Sequence, residues 1–450
     1  MAEAPATILI IGAGIFGLGT ALALLQRPAY ANAKIIIVDA ASKIPNQHGS
    51  SVDASRIVRA DYASPVYSRL ASEAQVHWRD QSANGWGGGG RYSETGFLLT
   101  VEDAQKGEYI KQSMSNVRSL CEEAAAKHGG TPKKIEVLEG TESIMKASGY
   151  DEVSGEWGYV NWNSGWSDAA MVVEYIRKRI EEVGGNRVKF MLGEKVEKLL
   201  VKGKKVVGAR VDKNDVTSDL VVLAAGAWSG SLVDLRGRAV ATGQALTYIN
   251  ISQEEERAMS SRPVIMNMSK GMFIIPPKYG QLKMARHGFG YRNPVKVSAK
   301  NLLGCDEAEN EVEISLPWNG IDVPKEGQEA CREALQTLLP KMCDRPFVLT
   351  RVCWYYDTPT GDFIIDRHPD YSGIFIATGG SGHGFKFAPI IGEKIVDGIE
   401  GKLETDLRTS WAWPKAVPNF CECEDGSRAG AKGMILEQEM ARSRKLQNHL

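Results

Sequence analysis

The sequence has no excess of charge of either sign: 54 lysines and arginines stand against 55 aspartates and glutamates, a formal net charge of -1. That balance gives no general attraction for nucleic acid or for an anionic membrane surface, so neither is an expected partner. No apolar run reaches the length of a membrane-spanning helix, and no repeat or low-complexity tract interrupts the chain. The seven cysteines, Cys121, Cys305, Cys331, Cys343, Cys353, Cys421 and Cys423, are odd in number and lack zinc-type C-x-x-C pairs. Free thiols in a reducing compartment are the expectation, and no metal is. The apolar segment near the start lacks a basic flank and carries glycines in its middle, which argues against a secretory signal. The ending Asn448-His449-Leu450 shares a basic residue and a leucine with a peroxisomal S-K-L address but differs at the first position. The expected location is cytoplasmic or peroxisomal. What is present is a globular composition, 43% hydrophobic and 24% charged. The 450 residues exceed the size at which one core normally keeps growing, so two domains are expected.

Residues 7–39, TILIIGAGIFGLGTALALLQRPAYANAKIIIVD, read as strand, glycine turn, helix and second strand. Residues 8–11 are an apolar run of the buried-strand kind. Gly12, Gly14 and Gly17 follow at the spacing of the dinucleotide fingerprint, serving in turn a tight turn, close backbone approach to a pyrophosphate, and close packing of helix on strand. The helix over 15–25, opening on Ile15 and Phe16, points its positive end at the phosphates. After a second apolar run at 34–38, Asp39 stands where a carboxylate accepts hydrogen bonds from ribose hydroxyls. It comes somewhat late, and the segment 27–33 accounts for the delay. NAD and FAD both fit such a cradle; its place near the start of a long chain, with no second such motif, leans towards FAD.

A polar loop over 42–55 leads into Arg56-Ile57-Val58-Arg59, and a helix follows with Tyr67, Leu70, Ala71, Ala74 and Trp78 on one face. The run Gly85-Trp86-Gly87-Gly88-Gly89-Gly90 marks a crossing into a second domain, and 92–101 alternates towards a strand. A surface helix is expected over 105–127, and Ser167-Asp168 can cap another over 169–183. Strands are expected over 188–191, 195–201, 205–211 and 219–225, the last ending in the small-residue turn Ala224-Ala225-Gly226-Ala227-Trp228-Ser229. From 239 to 343 short strands alternate with turns, 265–275 and 281–291 forming a hairpin in an antiparallel or mixed sheet. Residues 352–366 and 374–377 are strand-like, and a glycine-rich turn then opens a helix over 385–398. One domain is expected from 1–85, 160–235 and 345–415, a second from 86–159 and 236–344, with 416–450 a peripheral tail.

At the far end of the chain a specific signature appears. Cys353-Trp354-Tyr355-Tyr356-Asp357-Thr358-Pro359, Phe363-Ile364-Ile365-Asp366, His368-Pro369 and Gly379-Gly380-Ser381-Gly382-His383-Gly384-Phe385-Lys386 resemble the C-terminal signature of monomeric sarcosine oxidases. That family includes pipecolate, saccharopine and N-methyltryptophan oxidases and the fructosyl amino acid oxidases. The N-terminal fingerprint, Arg56 and Arg59, Asn163-Ser164-Gly165, Gly226-Ala227-Trp228 and Leu282-Lys283 match in the same order. The Gly87 to Gly90 run and the tail after about Trp413 have no counterpart. The resemblance implies an α/β protein in which an FAD-binding Rossmann-like domain of the glutathione-reductase type interleaves with an α+β substrate domain built on a mixed sheet.

It also implies roles. Cys353 matches the cysteine bonded to the flavin 8α-methyl, a reaction that needs a thiolate and some cationic help; Arg351 is near it in sequence. Ser55, Ala225, Gly226 and Trp228 fall at cofactor positions, beside the fingerprint residues and Asp39. Gly380, Gly382, His383, Gly384 and Phe385 belong to a turn whose N–H groups and helix end suit the N1/C2 side of the flavin. Arg59 and Lys386, the latter on the first turn of the final helix, match the residues that hold the substrate carboxylate, and Arg56 the arginine against the flavin face. Lys283 matches the lysine of oxygen activation, whose fixed ammonium favours superoxide formation from neutral O2. His287 falls where the family has an active-site histidine. The implied activity is oxidation of the C–N bond of a secondary α-amino acid, giving an imine and hydrogen peroxide. Ser55-Arg56-Ile57-Val58-Arg59 resembles the sarcosine and pipecolate branch, since fructosyl amino acid oxidases generally have a lysine near Arg56 and lack the second arginine. Glycated amino acids, or a dehydrogenase passing electrons to another acceptor, are the alternatives. The implied partners are a small amino acid and O2, and a monomer is the default.

Overall fold

The computed structural model describes residues 4–128, 135–306 and 308–447; Asn448-His449-Leu450 lies outside them. Strand β1 (Thr7–Ile11), helix α1 (Ile15–Gln26) and strand β2 (Lys34–Asp39) form the expected unit. β1 lies inside a six-stranded sheet, with β2 and then Val188–Leu192 on one side, and Leu220–Leu223, Ile374–Thr378 and Ile364–Arg367 on the other. All its pairings are parallel except that of the edge strand Ile364–Arg367. Parallel strands are covered on both faces, which is why 8–11 and 220–223 are apolar throughout and fully buried. α1 is likewise buried on every side, packed between Ala169–Gly184 and Ile391–Glu400. It comes close to the sheet at Gly17, where an added Cβ would lie 1.9 Å from the Gly12 carbonyl oxygen. A Gly17→Ala variant is therefore expected to lose stability by about 1–3 kcal/mol and to retain less flavin. Chemical denaturation with visible absorbance checks this, and a variant of unchanged midpoint and flavin content would contradict it.

The second sheet has eight strands in the order Leu349–Asp357, Val240–Asn250, Gln281–Arg286, Met272–Lys278, Val264–Asn267, Phe97–Val101, Trp157–Asn161 and Ile135–Glu139. Its pairings are antiparallel except that of Val264–Asn267 with Phe97–Val101. Tyr248 pairs with Lys283 and Lys283 with Ile275, while Phe273 pairs with both Met266 and Ala285. With Cys353 and Tyr355, the side chains of Tyr248, Met266, Phe273, Ile275 and Ala285 enter the same core as α1, on the face turned to the nucleotide unit. Strand β3 (Arg56–Val58), paired with Gly165–Ser167, is followed by helix α2 (Pro65–Trp78), which buries Tyr67, Leu70, Ala71, Ala74 and Trp78. Asp168 caps Ala169–Gly184, accepting a hydrogen bond from Met171 N at 3.0 Å. Among the described residues no helix is long and apolar enough to cross a membrane.

Several expectations change. The apolar run 265–275 is two strands, because Ser269-Lys270-Gly271 turns the chain, with Gly271 at φ +66. The hairpin is Met272–Lys278 with Gln281–Arg286. Leu349–Asp357 belongs to the eight-stranded sheet, so 349–357 joins the second layer rather than the nucleotide one. The helix expected over 385–398 starts only at Ile391. Pro389 has no N–H for an α-helical bond, so 384–387 forms a separate 3-10 turn. Lys386 sits on that turn, not at the start of the helix. The tail is not peripheral. Cys423, Ser427, Arg428, Met434 and Leu436 are buried, and Ala429 and Ile435 bridge to Gly288 and Arg292. Arg428 reaches Asp357 at 2.6 Å with both side chains 1% exposed, an ion pair that ties the tail to the eight-stranded sheet.

Candidate active site

The carboxyl ends of β1, Leu220–Leu223 and Ile374–Thr378 all deliver small-residue turns to one edge of the parallel sheet, where open α/β sheets bind ligands. The turns are joined there. Thr378 Oγ1 contacts Ser229 Oγ at 2.9 Å and donates to Gly226 O at 3.2 Å. A cavity of about 410 Å³ begins at this edge, running between the glycine turns and the eight-stranded sheet. Of the sequence-derived candidates, Gly12, Gly14, Ile15, Phe16, Asp39, Ser55, Ala225, Gly226 and Trp228 line it. So do Gly380, Gly382, His383, Gly384, Phe385 and Lys386, together with Arg56, Arg59, Lys283 and His287. Two do not. Gly17 lies behind the wall as packing, and Cys353, fully buried, has its Sγ 3.2 Å from Arg56 Nη2.

The dinucleotide end fits the group its motif implies. Gly12 has φ +105, and an added Cβ would lie 2.4 Å from Ala224 O, so only glycine passes the chain through this turn. Asp39 closes β2 with its Oδ2 accepting from Ala13 N and its Oδ1 from Ala41 N, both at 2.8 Å. Asn46 Nδ2 also donates to Oδ1 at 3.3 Å, so of about four acceptor positions on the carboxylate capacity for a ribose hydroxyl remains.

The opposite end carries the charge. Arg59 is 7% exposed and Lys386 5%, and neither has a carboxylate in ion-pair range among the described residues. Arg59 lies over the rings of Tyr62 and Phe97, and among the described residues its Nη1 is buried without a hydrogen-bond partner, while Tyr109 and the buried Asp61 favour its charge. Lys386 donates to the Tyr62 hydroxyl at 2.7 Å and to His383 O at 2.8 Å. The Tyr62 hydroxyl in turn lies 3.0 Å from His383 Nδ1, and His383 Nε2 lies 2.8 Å from Gly361 O. A carbonyl only accepts, so His383 carries its proton on Nε2 and Tyr62 donates to Nδ1. Burial, and then neighbouring Arg59, push the Lys386 ammonium well below the ordinary lysine range.

Lys283, 3% exposed, donates to Asp53 Oδ2 at 2.6 Å and to Ser55 O at 2.9 Å. Burial pushes it down to about 8 against the raising effect of Asp53. Arg56 Nη1 sits 2.9 Å from the same Asp53 oxygen. Arg351 turns away from Cys353 in its bonding, donating to Val52 O and Gly49 O, so the cation at the thiol is Arg56. His287 has both ring nitrogens engaged. Ser427 Oγ donates to Asp425 at 2.7 Å and therefore accepts from His287 Nε2 at 3.1 Å, while Arg428 Nη1 faces Nδ1 at 3.4 Å. Burial and then Arg428 push His287 well below the usual histidine range, so it is neutral and has no nitrogen free for a proton. Met266, Phe273, Ile275 and Tyr355 complete an apolar wall at this end.

Asp53, Tyr62, Tyr248, Asp425 and Ser427 escaped the sequence reading. Asp53 had one signal, its place three residues before Arg56; the others are brought in by tertiary contacts alone. This constellation, an FAD-type cradle opening on a buried cationic pocket, defines a flavin-dependent oxidoreductase. The family model for FAD dependent oxidoreductases matches residues 7–397, and the chain belongs to that family. The chain is similar to the amino acid oxidase imqH of Aspergillus flavus, 29% identical over 91% of this chain and 98% of that one. Its identity to L-saccharopine oxidase of Schizosaccharomyces pombe is also 29%, over 90% and 93%. Among solved structures, fructosamine oxidase (Amadoriase II) of Aspergillus fumigatus superposes with a TM-score of 0.78, covering 96% of this chain and 95% of that one at 27% identity.

Proposed function

We propose that the protein oxidises the C–N bond of a secondary, N-substituted or cyclic, α-amino acid, with O2 as acceptor. The observation that carries this reading is the Arg59 and Lys386 pair, two buried basic side chains facing a cavity with, among the described residues, no carboxylate within ion-pair distance of either. A substrate carboxylate supplies the missing anion and is held by two points of charge, which fixes its orientation as well as its affinity. Bound FAD would accept a hydride equivalent from the carbon next to nitrogen and pass the electrons to O2, yielding an imine, which water hydrolyses, and hydrogen peroxide. Asp39 and the turns at Gly12, Gly226 and Gly380 would hold it. Lys283 supplies positive charge where O2 gains an electron. The neutral, fully bonded His287 shapes the pocket and takes no proton. Among the described lining residues the only acids are Asp39 and Glu194, outside the apolar end formed by Met266, Phe273 and Ile275. Glycated amino acids are the second class, favoured by the likeness to fructosamine oxidase.

A peroxide-coupled assay against sarcosine, L-pipecolate, saccharopine, N-methyl aromatic amino acids and fructosyl-lysine tests the reading. Peroxide with a secondary amino acid supports it. Flavin bleaching under nitrogen without peroxide in air would make the protein a dehydrogenase. The flavin is proposed to be covalent through Cys353, whose Sγ lies 3.2 Å from Arg56 Nη2. The Cys353→Ser variant is then expected to release its flavin on acid denaturation while wild type keeps it. Equal release from both would refute the attachment. A monomer in the cytoplasm or peroxisome completes the proposal, with sedimentation and fractionation as the checks.

A further inference from the structure

We propose that Asp53, with Tyr248 behind it, is a positioning residue that keeps the Lys283 ammonium charged and aims its one free N–H into the cavity. The inference rests on the oxygen role proposed above for Lys283 and extends it to residues with no assigned part. An ammonium has three N–H groups in fixed tetrahedral directions. Two are committed, to Asp53 Oδ2 at 2.6 Å and Ser55 O at 2.9 Å, so the direction of the third follows, and Lys283 lines the cavity. Asp53 is itself held at both oxygens. Tyr248 donates to Oδ1 at 2.5 Å and Ala54 N at 2.8 Å, while Arg56 lies 2.9 Å from Oδ2. The carboxylate cannot rotate without breaking several bonds at once.

The charge logic is specific to this position. Lys283 faces Asp53 and Arg56 from the loop and β3 and Cys353 from Leu349–Asp357, and it pairs across the sheet with Tyr248 of Val240–Asn250, while Arg351 also acts on Asp53. Its hairpin partner contributes only the apolar Ile275 and Phe273. Asp53 is thus the carboxylate facing two cations, Lys283 and Arg56. Burial alone would raise its pKa, yet Lys283, Arg56 and Arg351 hold it well below the usual carboxylate range. Asp53 is therefore ionised throughout the range in which Lys283 loses its proton. Bound reduced flavin would supply the electron that turns O2 into superoxide, and the Lys283 ammonium, keeping its proton, would offset the new negative charge. A neutral lysine amine would offer no such charge.

The test is the pH dependence of two signals in the holoenzyme. Reoxidation of substrate-reduced enzyme by O2 and the visible spectrum of the resting oxidised flavin are each followed from about pH 6 to about pH 9. In wild type both are expected to change near about 8. In Asp53→Asn the change is expected to move down by about one to three pH units, with reoxidation at pH 7.5 slower by at least about threefold and flavin reduction by substrate nearly unaltered. Tyr248→Phe should move it less, and Asp53→Glu should return it towards wild type. An unmoved transition in Asp53→Asn overturns the proposal, as does equal loss of reduction and reoxidation in a folded variant. A moved spectral transition with an unmoved reoxidation profile would sustain Asp53's hold on Lys283 and refute the oxygen role instead.

Discussion

Replacing Lys386 by methionine is expected to lower kcat/KM by about 100-fold, close to 2.7 kcal/mol, on any amino acid the protein accepts, and Arg59→Met should do the same. Each cation contributes a charge-assisted hydrogen bond to the substrate carboxylate in a buried setting, where such bonds are strong. Most of the loss should fall on KM where the carboxylate is bound equally in ground and transition states, and on kcat where misorientation moves the reacting carbon. Asp61, the buried carboxylate whose charged form Arg59 favours, keeps its hydrogen bonds from Tyr159, Asn161 and Ser164 when either cation is replaced, so the folded, yellow protein should persist. Binding should also be linked to pH. Lys386 lies well below the lysine range in the free protein, and an incoming carboxylate favours its charged form, so anion affinity should fall as pH rises through that depressed value. Titrating the flavin spectrum with a nitrogen-free aliphatic carboxylate isolates this from ionisation of the substrate amine. Affinity that is flat with pH, or a Lys386→Met enzyme of wild-type activity, would dismiss the carboxylate clamp.

The second large effect is expected at Lys283. Lys283→Met should slow reoxidation of the reduced flavin by O2 at least about 100-fold, in line with the roughly 2.7–4 kcal/mol that one fixed electrostatic donor supplies, while reduction by substrate changes little. Asp53 would keep Arg56 as its counter-ion at 2.9 Å, so the variant should fold. The sign of the pH dependence follows from the lowered pKa of about 8: Lys283 is charged below that value, so wild-type reoxidation should be fast there and decline above it. Stopped-flow mixing of reduced enzyme with oxygenated buffer reads both effects. Slowing by less than about tenfold, 1.4 kcal/mol, would remove Lys283 from oxygen chemistry.

The unit β1–α1–β2 was legible because local sequence alone specifies it: an apolar strand, glycines where backbone must pass backbone, and an acid at the second strand's end. The helix over residues 65–78 and the capped helix after Asp168 were legible for the same reason, since periodicity and a capping side chain act within a few residues. Sequence also carried the residues gathered around the cavity, because the signature runs of the family are contiguous. It could not carry their partners. Asp53 meets Lys283 across 230 positions and Tyr248 across 195, and Arg428 meets Asp357 across 71, so no local spacing announces them. The tail read as peripheral because its charges suggest solvent; in the folded chain one of those charges finds a buried counter-ion, and two backbone bridges draw the segment inward. The nucleotide cradle and its chemistry were thus determined by the sequence itself. Which charges are paired, which stay unpaired for a substrate, and which histidine is too fully bonded to move a proton were decided only by tertiary structure, because burial and counter-ions are properties of the assembled interior.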